Sequence, residues 1–183
     1  MRNCVVIYFT FLISLVSVAQ ESTTKHYQFD ASYFYGTILE HEKDLQHLIL
    51  QHSQGVMLSY SKKTYGIQDW SNRYGAPDHG YSMFYYDFGN ETLGRAYGLY
   101  AHYGFYFFNR NLLFRVGAGV AFHDNPYDQE TNFRNNAHGS SLTGSQFLML
   151  NYKKYNIYRG LGLQAGFSIV HYSNGNIQTP NAS

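Results

Sequence analysis

Residues 94–107 read Gly-Arg-Ala-Tyr-Gly-Leu-Tyr-Ala-His-Tyr-Gly-Phe-Tyr-Phe, and residues 112–123 read Leu-Leu-Phe-Arg-Val-Gly-Ala-Gly-Val-Ala-Phe-His. In both stretches large apolar residues alternate with glycine or polar residues, which is the two-residue period of a strand with two different faces. The tripeptide Asn-Arg-Asn at 109–111 lies between them and predicts a tight turn. The sequence therefore predicts two long antiparallel strands, and the rest of the chain extends that sheet.

The composition is poor in charge and rich in aromatic residues. Of the 183 residues, 14% are charged and 19% are aromatic. A disordered chain has the opposite balance, and a helical bundle needs more Ala, Leu, Glu and Lys. The net charge of +1 gives no basic surface for nucleic acid. Long strands with one apolar, aromatic face are typical of barrels whose outer face meets lipid.

The first residues form a separate segment. Arg2 precedes an apolar run over residues 4–18, and residues 17–19 read Ser-Val-Ala. This pattern predicts a secretory signal peptide, residues 1–19, cut after Ala19. The alternative, a membrane anchor, needs a longer apolar run. Cys4 is the single cysteine and lies within this leader, so the mature chain has no disulfide. We therefore expect an exported protein.

The same alternation recurs along the remaining chain. Residues 40–52 are polar with a few Leu and Ile, and we interpret them as a turn plus continuations of strands. Residues 65–77 and 124–139 are predicted loops. The other predicted strands cover residues 29–39, 55–61, 81–88, 142–152 and 160–172.

About seven strands result, and their length suits a tilted bilayer crossing. The predicted fold is an all-β, antiparallel transmembrane β-barrel over residues 20–183. Membrane barrels of this kind have an even number of strands. We therefore expect an eight-stranded type whose C-terminal strand or strands are missing from this chain. A soluble, lipocalin-like barrel is the alternative fold.

Common catalytic and metal-binding motifs are absent. The sequence has no G-x-S-x-G elbow, no H-E-x-x-H and no Walker loop, and no cofactor is predicted. The nine histidines show no spacing typical of a metal site, so no metal is predicted either. Asp124, Asp128, Glu130 and Asn132 on the long loop are an alternative calcium set, although solvated acidic loops are commoner.

One segment has a spacing suited to nucleophilic catalysis. His171 and Ser173 are two residues apart at the end of the last predicted strand, so their side chains share a face. A neighbouring imidazole can take the serine proton during attack on an ester. Asn174, Asn181 and the backbone N–H groups near Gly175 are candidates for an oxyanion hole.

The shared face also carries Leu163, Phe167 and Ile169, which predicts that it contacts lipid and that the substrate is an acyl chain in the membrane. The alternative is a pair of interfacial polar residues where a strand leaves the bilayer. His138 and Ser140 have the same spacing within a loop, so the spacing by itself is common.

The residues His171 to Gly175, followed by Pro180 and Asn181, resemble the signature of the outer-membrane lipid A 3-O-deacylases (PagL-like), also described as acyloxyacyl hydrolases. The resemblance implies an eight-stranded outer-membrane barrel whose Ser–His–acid triad faces lipid. It implies Ser173 as nucleophile, His171 as general base, and Asn174 and Asn181 near the oxyanion. The implied partners are lipid A, its acyl chains and outer-membrane lipid. Further matching stretches include Trp70, residues 74–77, 86–90, 93–97, 126–128, 131–132 and Asn135.

The chain departs from the family at the triad acid. In the family this acid is a Glu downstream of the serine, on the closing strand. Here no Asp or Glu follows Glu130, across the last 53 residues. Either a missing strand carries the acid or this member lacks it. Without an orienting carboxylate His171 takes the wrong tautomer, which costs about 10⁴-fold in a well-studied triad. We therefore expect the chain as it stands to be inactive or unable to close. The alternative function is a non-catalytic outer-membrane barrel, structural or adhesive.

Overall fold

The computed structural model describes residues 27–39, 43–175 and 177–180. One antiparallel sheet contains every described strand, in the order β1 to β7, with each strand paired to the next. This confirms the all-β antiparallel prediction. The predicted signal peptide (residues 1–19) and Asn181 lie outside the described residues. The strands are β1 (Tyr27–Gly36), β2 (Ser53–Lys62), β3 (Asp78–Asp87), β4 (Arg95–Phe107), β5 (Leu112–His123), β6 (Leu142–Tyr158) and β7 (Leu161–Ser173).

Two connections differ from the sequence prediction. The segment predicted as strand continuations contains a 3-10 helix (Lys43–Leu48). Leu45 and Leu48 are three residues apart, which puts both on one side of a 3-10 turn, and both are buried. The predicted loop at 65–77 holds a short helix, α1 (Asp69–Arg73), with the single tryptophan, Trp70.

The last hairpin is also longer than predicted. Strand β6 continues to Tyr158, and β7 begins at Leu161, so the two strands meet in a tight turn. Within that turn Arg159 and Gly160 have positive φ angles of 45° and 86°. The pairing between β6 and β7 is irregular between Lys154 and Tyr158, which explains why simple alternation fades there.

The strands have distinct inner and outer faces. Arg115 and His102 point inward and are 1% and 2% exposed, whereas Val120 and Phe167 are 50% and 67% exposed on the outside. On β7 the inward Gln164 donates through Nε2 to Ser32 Oγ of β1 at 2.7 Å. The sheet is therefore curled enough for side chains of its two edge strands to meet.

Aromatic side chains fill part of the interior. The rings of Phe84, Tyr100 and Phe147 lie 5.0 to 5.3 Å apart between centroids. Glycine supplies the space for them, since a Cβ at Gly117 would collide with the Phe147 ring. Met57 and Met149 complete this cluster. The inside of the curl is consequently packed with side chains along these strands.

A buried charge cluster lies farther along the interior. Asp30 of β1 accepts from Arg115 Nη2 of β5 at 2.8 Å and from Lys153 Nζ of β6 at 3.2 Å. All three side chains are at most 8% exposed. A buried carboxylate with two cations is stable only while each charge keeps its partner. This cluster ties β1 to the opposite side of the curl.

The two ends of the sheet differ in their connections. At the end where β7 finishes, the connections are residues 37–52, 88–94 and 124–141. The opposite end has two tight turns and the segment holding α1. No helix in the described part of the chain combines the length and apolarity that a membrane crossing requires.

Candidate active site

His171 and Ser173 lie side by side on the outer face at the end of β7. His171 is exposed and Ser173 is half-buried, while Tyr172 between them points inward and is 7% exposed. The alternation of β7 produces this arrangement, because residues two apart project from the same face. The structure thus brings the two predicted residues together on the outer wall.

The serine hydroxyl has a local partner. The backbone N–H of Gly175 donates to Ser173 Oγ at 3.1 Å. Among the described residues, the His171 ring makes no hydrogen bond with Ser173 or with a carboxylate. Catalytic hydrogen bonds are often long in a substrate-free site and tighten when the substrate binds. The bond from Gly175 uses one lone pair of the Ser173 oxygen and leaves the hydroxyl proton free to be donated.

Asn174 and Gly175 form the turn that follows the strand. Asn174 is 7% exposed, and its Nδ2 donates to the carbonyl of Gln178 at 2.6 Å. Ile177 N donates to the Asn174 carbonyl at 3.3 Å. Gly175 has a φ of 65°, a conformation that glycine adopts without strain. The Asn174 side chain therefore shapes the turn next to the serine.

The backbone at His171 is anchored from inside the sheet. Ser145 Oγ donates to the His171 carbonyl at 2.9 Å. The same oxygen lies 2.8 Å from the Tyr100 hydroxyl. Because the Ser145 proton is already used, Tyr100 is the donor in that second bond. Sequence reasoning missed this chain of hydroxyls, because Tyr100 and Ser145 are 45 residues apart and neither stands in a recognised motif.

His171 borders a shallow groove on the outer wall. The groove has a volume of about 650 Å³ and runs over β4 to β7. Small residues form part of its floor, including Ala101, Gly117 and Ala118, and Leu148 and Ile169 line it. Gln146 is the cross-strand neighbour of His171 and also borders the groove. This geometry offers an apolar surface leading to the imidazole.

Two asparagines, the half-buried Asn132 and the buried Asn135, fix the loop beside the site. Asn132 Nδ2 and Asn135 Nδ2 both donate to the carbonyls of Thr92 and Asn125, over 2.8 to 3.2 Å. Asn135 is completely buried, and its Oδ1 accepts from the His138 N–H. These bonds join the 124–141 loop to the 88–94 loop, so the surroundings of the site are held in one arrangement.

Two histidines stack beneath the site. The rings of His123 and His138 are 3.9 Å apart between centroids, and both pack edge-on against Tyr172. Burial, together with the nearby His123, holds the pKa of His138 well below its usual value. His138 is therefore neutral at pH 7, and it packs as an aromatic ring. The Ser140 hydroxyl does not bond to His138 and instead donates to the Leu142 carbonyl at 2.8 Å.

Asp124 and Asp128 of the long loop have structural partners. Asp128 Oδ1 accepts from the backbone and hydroxyl of Thr131 and from the Glu130 N–H, and these bonds lower the pKa of its carboxyl. Asp124 Oδ1 accepts from the Arg95 N–H at 2.6 Å. Within the described ranges, no group of three or more His, Cys, Asp or Glu side chains is arranged to hold a metal ion.

A curled antiparallel sheet with a serine and a histidine on its apolar outer wall defines a barrel-type membrane protein with a candidate hydrolase site. The family model for lipid A 3-O-deacylase (PagL) matches residues 54–183. The chain therefore belongs to the PagL family, whose members are outer-membrane proteins acting on lipid A. Comparisons with curated proteins and with solved structures give no match. Membership of the family implies lipid A deacylase activity.

Proposed function

We propose that the protein is a hydrolase of the 3-O-acyl ester of lipid A, with Ser173 as nucleophile and His171 as general base. The position of both side chains on the outer wall, beside an apolar groove that reaches His171, carries the proposal. An ester held in the membrane reaches such a site from the side. Moving its acyl chain from the lipid into the groove costs little free energy, because apolar contacts with the groove replace those with lipid.

The proposed reaction has two halves. As Ser173 Oγ bonds to the acyl carbonyl carbon, its proton passes to His171 and the carbonyl electrons move to oxygen. The tetrahedral intermediate then breaks the bond to the sugar oxygen, which receives the proton from His171. A water molecule repeats the sequence on the acyl-serine and releases the fatty acid.

The oxyanion donors are part of the proposal. The Gly175 N–H now donates to Ser173 Oγ, so rotation of that hydroxyl toward His171 would free this N–H for the carbonyl oxygen. Backbone donors aimed at developing negative charge stabilise such intermediates by several kcal/mol, roughly 3–4 for one donor. Asn174 and Asn181 are the other proposed contributors.

The proposal also covers the location of the protein and the group that orients His171. The signal peptide of residues 1–19 would direct export, and the barrel would insert in the outer membrane with lipid A beside its wall. A carboxylate would orient His171 in this reaction, as the downstream Glu does in the family. No cofactor takes part in the proposed reaction.

Mass spectrometry of lipid A tests this function. Cells expressing the full-length protein should yield lipid A lighter by one hydroxyacyl chain than cells that carry an empty vector. A heat-modifiable band on gels checks that the barrel is folded in those cells. If the band is present and the lipid A spectrum is unchanged, the proposed activity is wrong and a non-catalytic barrel is the better description.

Gly139 provides a second test, because the chain beyond Ser173 packs closely against it. A Cβ at this position would collide with the backbone carbonyl of Pro180 and come within 2.9 Å of that of Gln178. Gly139→Ala should therefore displace residues 178–180. A shift of about 1 Å can cost about 10²-fold in rate.

The matched control is Gly36→Ala, since a Cβ there meets nothing within 4 Å. Initial rates of fatty-acid release should fall for Gly139→Ala and stay unchanged for Gly36→Ala, with equal heat-modifiable bands. Unchanged rates in both variants would show that residues 178–180 do not position the site.

A further inference from the structure

A second groove lies on the outer wall, on the side away from His171. It runs over β2 to β5, and the start of β6 also borders it. Its volume is about 410 Å³, and Leu58, Met83, Leu99 and Val120 line its centre. None of these residues borders the groove at His171. The wall thus carries two separate apolar depressions.

The cationic side chain of Arg95 lies at the end of this second groove. Tyr85 and Tyr97 line the groove and face each other across β3 and β4, with ring centroids 5.6 Å apart. Arg95 precedes Tyr97 by two residues, so it shares the same outward face, and it lies beside both phenols. Arg95 is the one Lys or Arg on an outward-facing strand position at the end of the described sheet where β7 finishes.

The internal partners of Arg95 are the Tyr97 phenol, with which it makes a side-chain hydrogen bond, and the carboxylate of Asp87. Its Nε is 4.0 Å from Asp87 Oδ2, and the two side chains are 55% and 34% exposed. An exposed pair at that distance contributes little. Asp87 has another role, since its Oδ1 accepts from the Gly89 N–H at 2.9 Å in the next turn. The guanidinium therefore remains accessible above an apolar groove.

We infer that this second groove is a lipid site that takes an anionic phospholipid. The phosphate binds the Arg95 guanidinium, with the Tyr85 and Tyr97 hydroxyls as further donors, and one acyl chain lies in the groove below. Charge complementarity selects this occupant, because arginine binds phosphate oxygens in bidentate fashion and an apolar groove accepts the chain. The inference does not depend on hydrolysis at Ser173.

Tryptophan quenching by brominated lipids measures the occupancy. In a Trp70→Phe background, Leu99→Trp places the single indole in the second groove, and Phe167→Trp places it on β7, outside both grooves. Each full chain is refolded into phosphatidylcholine vesicles containing either brominated phosphatidylglycerol or brominated phosphatidylcholine. The ratio of the two quenching constants gives the local preference for the anionic phospholipid over the zwitterionic one.

At Leu99→Trp we expect a preference for phosphatidylglycerol of about fivefold, which corresponds to about 1 kcal/mol for one basic residue. Phe167→Trp should show a ratio near one. In the Leu99→Trp protein, adding Arg95→Gln should remove the preference, Arg95→Lys should retain most of it, and Asp87→Asn should increase it. An equal ratio at both indoles, or a preference that survives Arg95→Gln, would overturn the inference.

Discussion

Replacing Ser173 by alanine in the full-length protein should lower the rate of lipid A deacylation by about 10⁴- to 10⁶-fold, the range found for serine triads. The barrel should stay folded, because the Ser173 hydroxyl accepts one hydrogen bond, from Gly175, on the outer wall. His171→Asn should cost as much, since a nucleophile and its base act as one unit. Quantitative mass spectrometry of lipid A from cells with matched expression measures both variants.

Ser140→Ala is the matched control. Ser140 stands two residues after His138, as Ser173 does after His171, but its hydroxyl donates to the Leu142 carbonyl and His138 is buried. Its loss should leave deacylation unchanged. A sulfonyl fluoride in detergent should label Ser173 and spare Ser140. If the Ser173→Ala protein still removed a hydroxyacyl chain, the assigned nucleophile would be incorrect.

Asp30→Asn should produce the largest loss of stability. The substitution leaves Arg115 and Lys153 buried without their shared carboxylate, which lies 2.8 and 3.2 Å from their nitrogen atoms. Removing one partner of a buried ion pair typically costs about 3–5 kcal/mol. Urea unfolding of the protein refolded in lipid vesicles, followed by the gel mobility of the folded form, measures this change in the free energy of unfolding.

Asp87→Asn is the control for this substitution, because Asp87 and Arg95 form an exposed pair at 4.0 Å. It should cost at most about 1 kcal/mol. Combining Asp30→Asn with Arg115→Met and Lys153→Met should recover much of the lost stability, since apolar side chains need no partner in the interior. Equal effects of Asp30→Asn and Asp87→Asn would show that the buried cluster does not stabilise the fold.

The strands were predictable because burial on one face repeats every two residues. The alternation at 94–107 and 112–123 corresponds to β4 and β5 almost residue for residue. The helix at Lys43–Leu48 was not predictable in the same way, because two leucines in a polar segment fit several local structures. Its burial depends on Phe88, Leu93 and Ala137, which come from distant parts of the chain.

The candidate site was likewise predictable only in its local features. The common face of His171 and Ser173 follows from the strand period, but the hydrogen bond from the Gly175 N–H to Ser173 Oγ depends on the turn that follows the strand. The Asn135 contacts and the Asp30 cluster join residues up to 123 positions apart, and a single sequence contains no record of such pairings. Local pattern therefore predicted that the two candidate residues share a face, while the contacts that support them come from tertiary structure.

Interior packing has a consequence for permeability. Tyr100 and Phe147 fill part of the described interior, and Asp30 binds Arg115 and Lys153 across it. Side chains therefore occupy the space that water occupies in a porin. We expect no single-channel conductance in a planar bilayer. A cell can then carry many copies of this protein in its outer membrane without admitting small antibiotics through them.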